Sequence, residues 1–570
     1  MDDQLSARRV RLRLEPLEDR LAPSISPAFD DVLVPDAATA NQTATQTAPV
    51  VGVAADGSYV LAWQFNDTVH HDSDIFARRF NRDGTAKGAA FAVASSPLDE
   101  TQPALAVAAD GSFVVAYTKV VPVGTSTTHS VFFQTFDAAG NRKVAETEAP
   151  SHVNLTQPGL VNPNVLDDSS PDVAVSSATG QFVVVWVQQT GPNNRDVFAR
   201  AFGADGHALN FNDVGVATTA GDEFNPHVAI KPSAANDFAG TLIPVISYTL
   251  DQGNGVQKVY FRRYASGLTP LDIGATGIAV SGGDTSARED QSALVMDVSG
   301  NLLVAWTAAP PGGLSQVLFR QFNPQGGSPN PSPIPVDGNG LSQSAPGVAL
   351  NGDGRFLVAY QGAAADGKTP AQSYYREFDA TLKPVGASRP VSGKSAASNV
   401  APRLGSSGSN FFVIVTEDLT GAHPDAVARG FAHLTSRVGV VRPTNAGLAQ
   451  FSLDTNGDGT FDAGDSVFTF GFFSDQLVVG DWNGTGYHKI GVVRPFGPAA
   501  IFSLDTNGDG KFDAGDQVFV FGRASDQFLV GDWNGDGRSK VGVVRPNGST
   551  ATWSGRWTPT ATASSTPATR

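Results

Sequence analysis

Ser58-Tyr-Val-Leu-Ala-Trp63 is a short apolar run ending in an aromatic ring, and the chain repeats it. The run returns as Ser112-Phe-Val-Val-Ala-Tyr117, Gln181-Phe-Val-Val-Val-Trp186, Leu242-Ile-Pro-Val-Ile-Ser-Tyr248, Asn301-Leu-Leu-Val-Ala-Trp306 and Arg355-Phe-Leu-Val-Ala-Tyr360. A seventh copy, Asn410-Phe-Phe-Val-Ile-Val415, lacks the ring; from Trp63 the steps are 54, 69, 62, 58, 54 and 55 residues. Self-similarity at this period marks a repeated supersecondary unit, and a run this short and β-branched reads as a buried strand. Four copies follow Asp56-Gly57, Asp110-Gly111, Ser299-Gly300 or Asp353-Gly354. Such pairs accept positive φ, so the sequence predicts a two-residue hairpin turn before each strand.

The rest of the unit can be read outward from that strand. A strand opens near Pro49, Pro103, Pro171, Pro226, Ser292, Pro346 or Pro402 before the turn. After the aromatic come a loop and a third strand, as in Asp74-Ile-Phe-Ala-Arg-Arg-Phe80 and Asp196-Val-Phe-Ala-Arg-Ala-Phe202. A weaker fourth strand follows, as in Ala90-Phe-Ala-Val-Ala94. Seven copies of four antiparallel strands predict an all-β, seven-bladed β-propeller. Copy seven runs into a different repeat after Phe431 and lacks its own fourth strand. Asp31-Val-Leu-Val-Pro-Asp36 resembles that strand, so the N-terminal segment is expected to close the ring and remove an exposed edge.

Two positions in the repeat are polar throughout. Gln46, Glu100, Asp168, Glu223, Glu289, Gln343 and Asn399 each lie three residues before the strand-opening proline or Ser292. They are either a polar ring around a channel mouth or side chains bonded to their own loops, and presence in every copy favours the loops. Arg78, Arg200, Arg262, Arg320, Arg376 and Arg429, with Gln134 in copy two, recur in the third strand. Alternation puts Arg78 on the face of Phe76 and Phe80, which suits a guanidinium stacked between rings at a blade–blade interface.

Composition agrees with a large β core. The 570 residues are 41% hydrophobic and 16% charged, with formal net charge −16, 61 Gly and 36 Pro. That is too apolar for disorder and too poor in helix formers for a bundle. The acidic excess without a basic block argues against a nucleic-acid partner. The absence of cysteine excludes disulfides and thiolate chemistry. No apolar run is long enough for a transmembrane helix.

From Val438 the period shortens to 51 or 52 residues, in Val438-Gly-Val-Val-Arg-Pro443, Ile490-Gly-Val-Val-Arg-Pro495 and Val541-Gly-Val-Val-Arg-Pro546. Each full unit carries a twelve-residue acidic run. The first presents Asp454, Asn456, Asp458, Thr460, Asp462 and Asp465; the second presents Asp505, Asn507, Asp509, Lys511, Asp513 and Asp516. Oxygen side chains at positions 1, 3, 5, 9 and 12 with glycine at 6 match the spacing of an EF-hand-type calcium loop, position 7 giving only a backbone carbonyl. Four aspartates on one twelve-residue turn repel unless a cation relieves them. Calcium is therefore the expected cofactor. Asp481 and Asp532 open two further glycine-rich loops that read as degenerate turns, with Thr485 and Lys540 at positions where acids are usual.

Val530-Gly-Asp-Trp-Asn-Gly-Asp-Gly537, followed by the Val541–Pro546 run, resembles the FG-GAP/VCBS-type repeats of bacterial secreted and surface proteins. The resemblance covers about residues 438–552 and implies four-stranded units in a calcium-rich extracellular setting. Leu14-Glu-Pro-Leu-Glu-Asp-Arg-Leu21, behind Arg8, Arg9, Arg11 and Arg13, partially resembles the LEPR-XLL-type N-terminal motif of bacterial exported proteins. The expected organisation is a sorting-like segment at 1–26, a propeller at 27–435, two and a part repeats at 436–557 and a Ser/Thr/Pro tail at 558–570. No H-E-x-x-H, G-x-S-x-G or phosphate-cradling loop occurs. The sequence thus reads as a non-enzymatic, calcium-binding adhesion or scaffold protein outside the cell or on its surface, presenting a propeller face to a protein or glycan. The alternative is a carbohydrate-active enzyme using the paired acids at 99–100, 167–168, 222–223 and 289–290, whose separation sequence cannot supply.

Overall fold

The computed structural model describes residues 25–555 except 35–43, 68–70, 124–125, 152–166, 192–193, 233–241, 254, 273, 275, 283–286, 331, 353, 365–368, 393–398, 407–410, 420–423, 434–438, 454–465, 484–488, 509, 532–537 and 548–549. Among the described residues the only helical element is the three-residue turn Ser266–Leu268. Up to His433 the strands form seven antiparallel sheets. The first pairs Thr45–Val53, Tyr59–Asp67, Asp72–Phe80 and Phe91–Ala94 in chain order. The following sheets open with Glu100–Val107, Asp168–Val175, Asp222–Ile230, Arg288–Met296, Ser342–Leu350 and Asn399–Ser406. Each opening strand lies against that of the next sheet, and Asn399–Ser406 lies against Thr45–Val53. Meanders arranged cyclically around their first strands make a β-propeller.

This arrangement explains why the second strand is apolar without alternation. Tyr59, Leu61 and Trp63 pack against Phe411, Val413 and Val415 of the last sheet. The intervening Val60 and Ala62 pack against Phe113, Val115 and Tyr117 of the second sheet. Both faces of a period-two strand are covered, so both must be apolar. Cross-strand rings seal the hairpins, with Tyr59 stacked on Phe80 at 5.0 Å, Phe113 on Phe136 at 4.8 Å and Phe356 on Phe378 at 5.1 Å.

The hairpins are wider than the expected two-residue turn. Ala54 N–H donates to Ser58 and Gly57 N–H to Ala54, and only Gly57, at φ 82°, is left-handed. Asp56 instead caps the turn through its carboxylate, accepting the Ser58 N–H at 2.8 Å. A turn ending in one left-handed glycine needs aspartate for this side-chain bond, not for positive φ.

The N-terminal segment does complete the seventh sheet. Ile25–Leu33 pairs antiparallel with Asp425–His433, from Ile25 opposite His433 to Leu33 opposite Val427. The strand begins earlier than the expected Asp31, and residues 35–36 of that expectation lie outside the described residues. Phe29 holds it in place: its ring stacks 5.8 Å from that of Tyr59, over a glycine, Gly430, whose added Cβ would meet the ring at 2.1 Å.

The third-strand arginines sit between sheets and have a second duty beyond stacking. Arg78, Arg200, Arg262, Arg320, Arg376 and Arg429 each donate through Nη1 to the carbonyl of Val34, Ala149, Val216, Val280, Val336 and Val391 respectively, in the preceding sheet's outer segment. Gln134 makes the equivalent bond to Val93 at 2.6 Å. Five of the guanidiniums lie 5.4–5.9 Å from the phenylalanine two residues on.

Beyond residue 438 three more sheets follow. Their strands are Gly439–Pro443, Leu448–Leu453 and Ser466–Phe472; then Gln476–Gly480, Lys489–Phe496, Ala499–Leu504 and Gln517–Arg523; then Gln527–Gly531, Lys540–Asn547 and Thr550–Gly555. The repeat is stapled by Arg494 on Asp475 at 2.7 and 2.6 Å and by Arg545 on Asp526 at 2.8 and 2.6 Å. Such bidentate pairs add geometric specificity. The expected boundary at 435/436 falls in 434–438, outside the described residues.

Candidate functional site

Every opening strand contains one extra residue opposite its partner. The register slips between Thr47 and Val50 in the first sheet and at the equivalent place in all seven. The extra residue is Ala48, Gln102, Ser170, Asn225, Gln291, Ala345 or Ala401, each with φ between 49° and 53°. Left-handed backbone at seven non-glycine residues costs energy and needs support. Neighbouring side chains supply it. Gln64 accepts the Gln102 N–H, Gln102 that of Ser170, Gln291 that of Ala345, Gln361 that of Ala401 and Glu417 that of Ala48. These bonds run from sheet to sheet around the axis.

The residue after the strand-opening proline or serine is next on the inner wall. It is Val50, Ala104, Ala293 or Gly347 in four sheets and Asp172, His227 or Arg403 in the other three. Asp172, His227 and Arg403 line a cavity of about 300 Å³ walled by the opening strands of five consecutive sheets. Asp172 accepts the Val228 N–H at 2.8 Å and stands 3.3 Å from His227 Nδ1. Arg403 donates to the Pro402 carbonyl at 3.3 Å. Its side chain is exposed to the solvent of the lumen. Desolvation by the surrounding protein lowers its pKa from the usual arginine value, and the Asp172 and Glu417 carboxylates pull it back up. Sequence reading did not single out these three residues. The signal was there, as three charged or titratable side chains where the other copies are small and apolar.

The seven recurrent acids and amides are not on that wall. All are buried, from 0% exposure at Glu100, Asp168 and Glu223 to 3% at Asn399. Glu100 takes the Ser96 hydroxyl at 2.5 Å, Glu223 the Thr219 hydroxyl, and Gln343 donates to Asn339 and the Asp337 carbonyl. Burial raises the pKa of all three glutamates. Lys119 at 3.4 Å from Glu100 and Lys258 at 3.2 Å from Glu289 oppose the rise. Glu223 faces Asp196 instead and is pushed up to about 7, with Thr219 opposing.

Of the two acidic loops, 454–465 lies outside the described residues, as does Asp509 of the second. The rest of the second loop folds on itself. Asp505, buried, accepts the N–H groups of Gly508 at 2.8 Å and Gly510 at 3.0 Å. Asp516 accepts those of Thr506 at 2.9 Å and Asp513 at 3.2 Å, and Asn507 donates to Asp513 at 3.4 Å. Positions 1, 3, 9 and 12 thus share one small turn, a donor set of hard oxygens suited to calcium. Among the described residues no three His or acidic side chains are grouped as a metal centre. In the loop opened by Asp481 a lysine holds the place of a cation, Lys489 Nζ reaching Asp481 at 3.4 Å and also Asn483.

No family model matches the chain, and no curated protein matches it. Among solved structures it is similar to a protein of unknown function from Dyadobacter fermentans, at 12% identity and TM-score 0.43, covering 72% of this chain and all of that one. It is also similar to the β-propeller domain of the Trilobed protease from Pyrococcus furiosus, at 8% identity and TM-score 0.39, over 69% and 96% of the two chains. A third is the GH93 α-L-arabinofuranosidase of Fusarium graminearum, at 11% identity and TM-score 0.37, over 59% and 93%. No described helix is long and apolar enough to cross a membrane.

Proposed function

We propose that the seven sheets are the blades of one closed propeller and that the chain is an exported, calcium-binding scaffold presenting the ring to a glycan or protein at the cell surface. One observation carries the choice of scaffold over enzyme. Glu100, Glu223 and Glu289, the recurrent glutamates, are buried and spend their carboxylates on their own loops or on a lysine. A glycosidase pair has to face substrate across a cleft. Calcium would be held by Asp505, Asn507, Asp509, Asp513 and Asp516, and in the preceding unit by Asp454, Asn456, Asp458, Asp462 and Asp465. Its chemistry there is charge neutralisation of a crowded turn, which orders the hairpin that carries it. The export expectation rests on the LEPR-XLL-like and FG-GAP/VCBS-like stretches.

The test is an array of polysaccharides and surface proteins probed with the full chain, in calcium and in chelator. Retention of a ligand without any rise in reducing ends supports the scaffold. Release of sugar that is abolished by Asp172→Asn overturns it in favour of a carbohydrate-active enzyme. That second reading has its own observation, the meeting of Asp172, His227 and Arg403 in one axial cavity.

A further inference from the structure

The axial cavity has a chemistry that the scaffold reading does not use. Arg403 spends one N–H on the Pro402 carbonyl, and among the described residues its remaining donors have no hydrogen-bond partner. Gln291 lines the same space. Its carbonyl oxygen is taken, by the Thr307 hydroxyl at 3.1 Å and the Ala345 N–H at 2.9 Å. Because a backbone N–H must meet oxygen, the orientation of that amide is fixed and its NH₂ is left as a donor. Across the lumen Asp172 and His227 offer an acceptor and a ring that can play either part.

We propose that this cavity binds a hexuronate, a sugar ring bearing one carboxylate, with Arg403 taking the carboxylate and Asp172, His227 and Gln291 taking hydroxyls. Four features select that class. A planar guanidinium with open donors matches a carboxylate edge-on. The Asp172 and Glu417 carboxylates, both close enough to act on Arg403, repel a compact dianion such as phosphate more than a monoanion. The volume, about 300 Å³, lies at the small end of ligand pockets and suits a single ring. The mixed donors and acceptors opposite Arg403 are what neutral hydroxyls require and what a bare inorganic anion does not. The inference rests on the glycan side of the proposed function and narrows it.

Titration calorimetry of the full chain with D-galacturonate, D-glucuronate, D-galactose and inorganic phosphate tests it. At least one uronate is expected to bind about tenfold or more tighter than galactose, the value of one charge-assisted bidentate contact. Arg403→Gln should bring uronate binding down to the galactose level. Gln291→Glu, which leaves an acceptor for Thr307 and Ala345 but turns a donor into a carboxylate, should weaken it in the same direction. Phosphate binding as tightly as either uronate, no uronate binding, or uronate binding unchanged in a folded Arg403→Gln chain would each overturn the proposal. Failure here with polysaccharide capture intact removes the axial site alone; failure of both removes the glycan reading.

Discussion

The ring and the C-terminal sheets solve the same problem differently. Both are built from repeated antiparallel units with no cysteine. The ring closes, so every second strand is covered on both faces and Trp63, Trp186 and Trp306 are fully buried. Among the described residues the C-terminal sheets form no such ring. Among the described residues the first and last of these sheets have three strands against four in the middle, and Phe496, Phe512, Val479 and Val467 are each more than half exposed. Closure lets each unit borrow a neighbour's surface; an open stack leaves its end units unsatisfied and more dependent on loop chemistry.

The sharpest way to break this contrast is to cut the ring's last contact. Removing residues 1–34 takes away the strand on Asp425–His433 and the carbonyl that Arg78 uses. The ring's melting transition should fall by more than 10 °C or lose cooperativity, while the C-terminal sheets keep theirs. Phe29→Ala should cost about 2–3 kcal/mol, less than a fully buried phenylalanine because Phe29 is only half-buried. A ring transition unmoved by the truncation would mean that the N-terminal strand does not close it.

Calcium should discriminate the regions in the opposite sense. A ligand at about one hundred times its Kd stabilises the folded state by about 2.7 kcal/mol. Calorimetric scans in calcium and in chelator should move only the C-terminal transition, and Asp505→Asn with Asp516→Asn should reduce the shift. Identical scans would leave these loops as Asx turns without metal.

The next effect is smaller and internal to the ring. Arg320→Met removes the donor to Val280 and leaves a buried carbonyl, at about 1–2 kcal/mol. Arg320→Gln should cost less than half of that, because Gln134 already does the same task in the second sheet. Urea melts of the two variants compare them directly.

What was legible in the sequence follows from what repeats. The second strand recurs seven times and the third-strand arginine six, with Gln134 in the second sheet, because one physical demand recurs; the missing fourth strand of the last sheet shows as the one break in that pattern. The left-handed residues left no mark. Ala48, Gln102, Ser170 and Asn225 have nothing chemical in common; their φ goes with the bulge, and for Ala48, Gln102 and Ser170 a side chain of the preceding sheet accepts the N–H. The axial cluster was hidden for the opposite reason. Asp172, His227 and Arg403 are departures from the repeat, on three sheets far apart in sequence, and only closure brings them to one cavity. The turns were half legible: the Asp-Gly pairs mark them, but the aspartate is there to cap and not to adopt positive φ.

Glu223 turns the repeat itself into a measurement. The equivalent position holds Gln46 and Gln343, both buried, so the site accepts a neutral amide of the same shape. Its folded-state pKa, about 7, lies above the ordinary 4.5, chiefly because it is buried and also because Asp196 is beside it. Between those values the folded chain keeps a proton that the unfolded chain has released, so this group's contribution to stability is complete below about pH 4.5 and is lost as pH rises to 7. Glu100 and Glu289 each have a lysine within 3.4 Å, which holds their rise in check. Glu223→Gln should therefore gain about 1–2 kcal/mol at pH 8, gain little at pH 4.5, and flatten the ring's stability profile between them, the figure reduced from the full shift because Glu223 and Asp196 share their titration. Chemical denaturation of the two chains at four pH values measures this. Parallel profiles would mean that Glu223 ionises within the folded ring without penalty, and that its pairing with Asp196 is not felt.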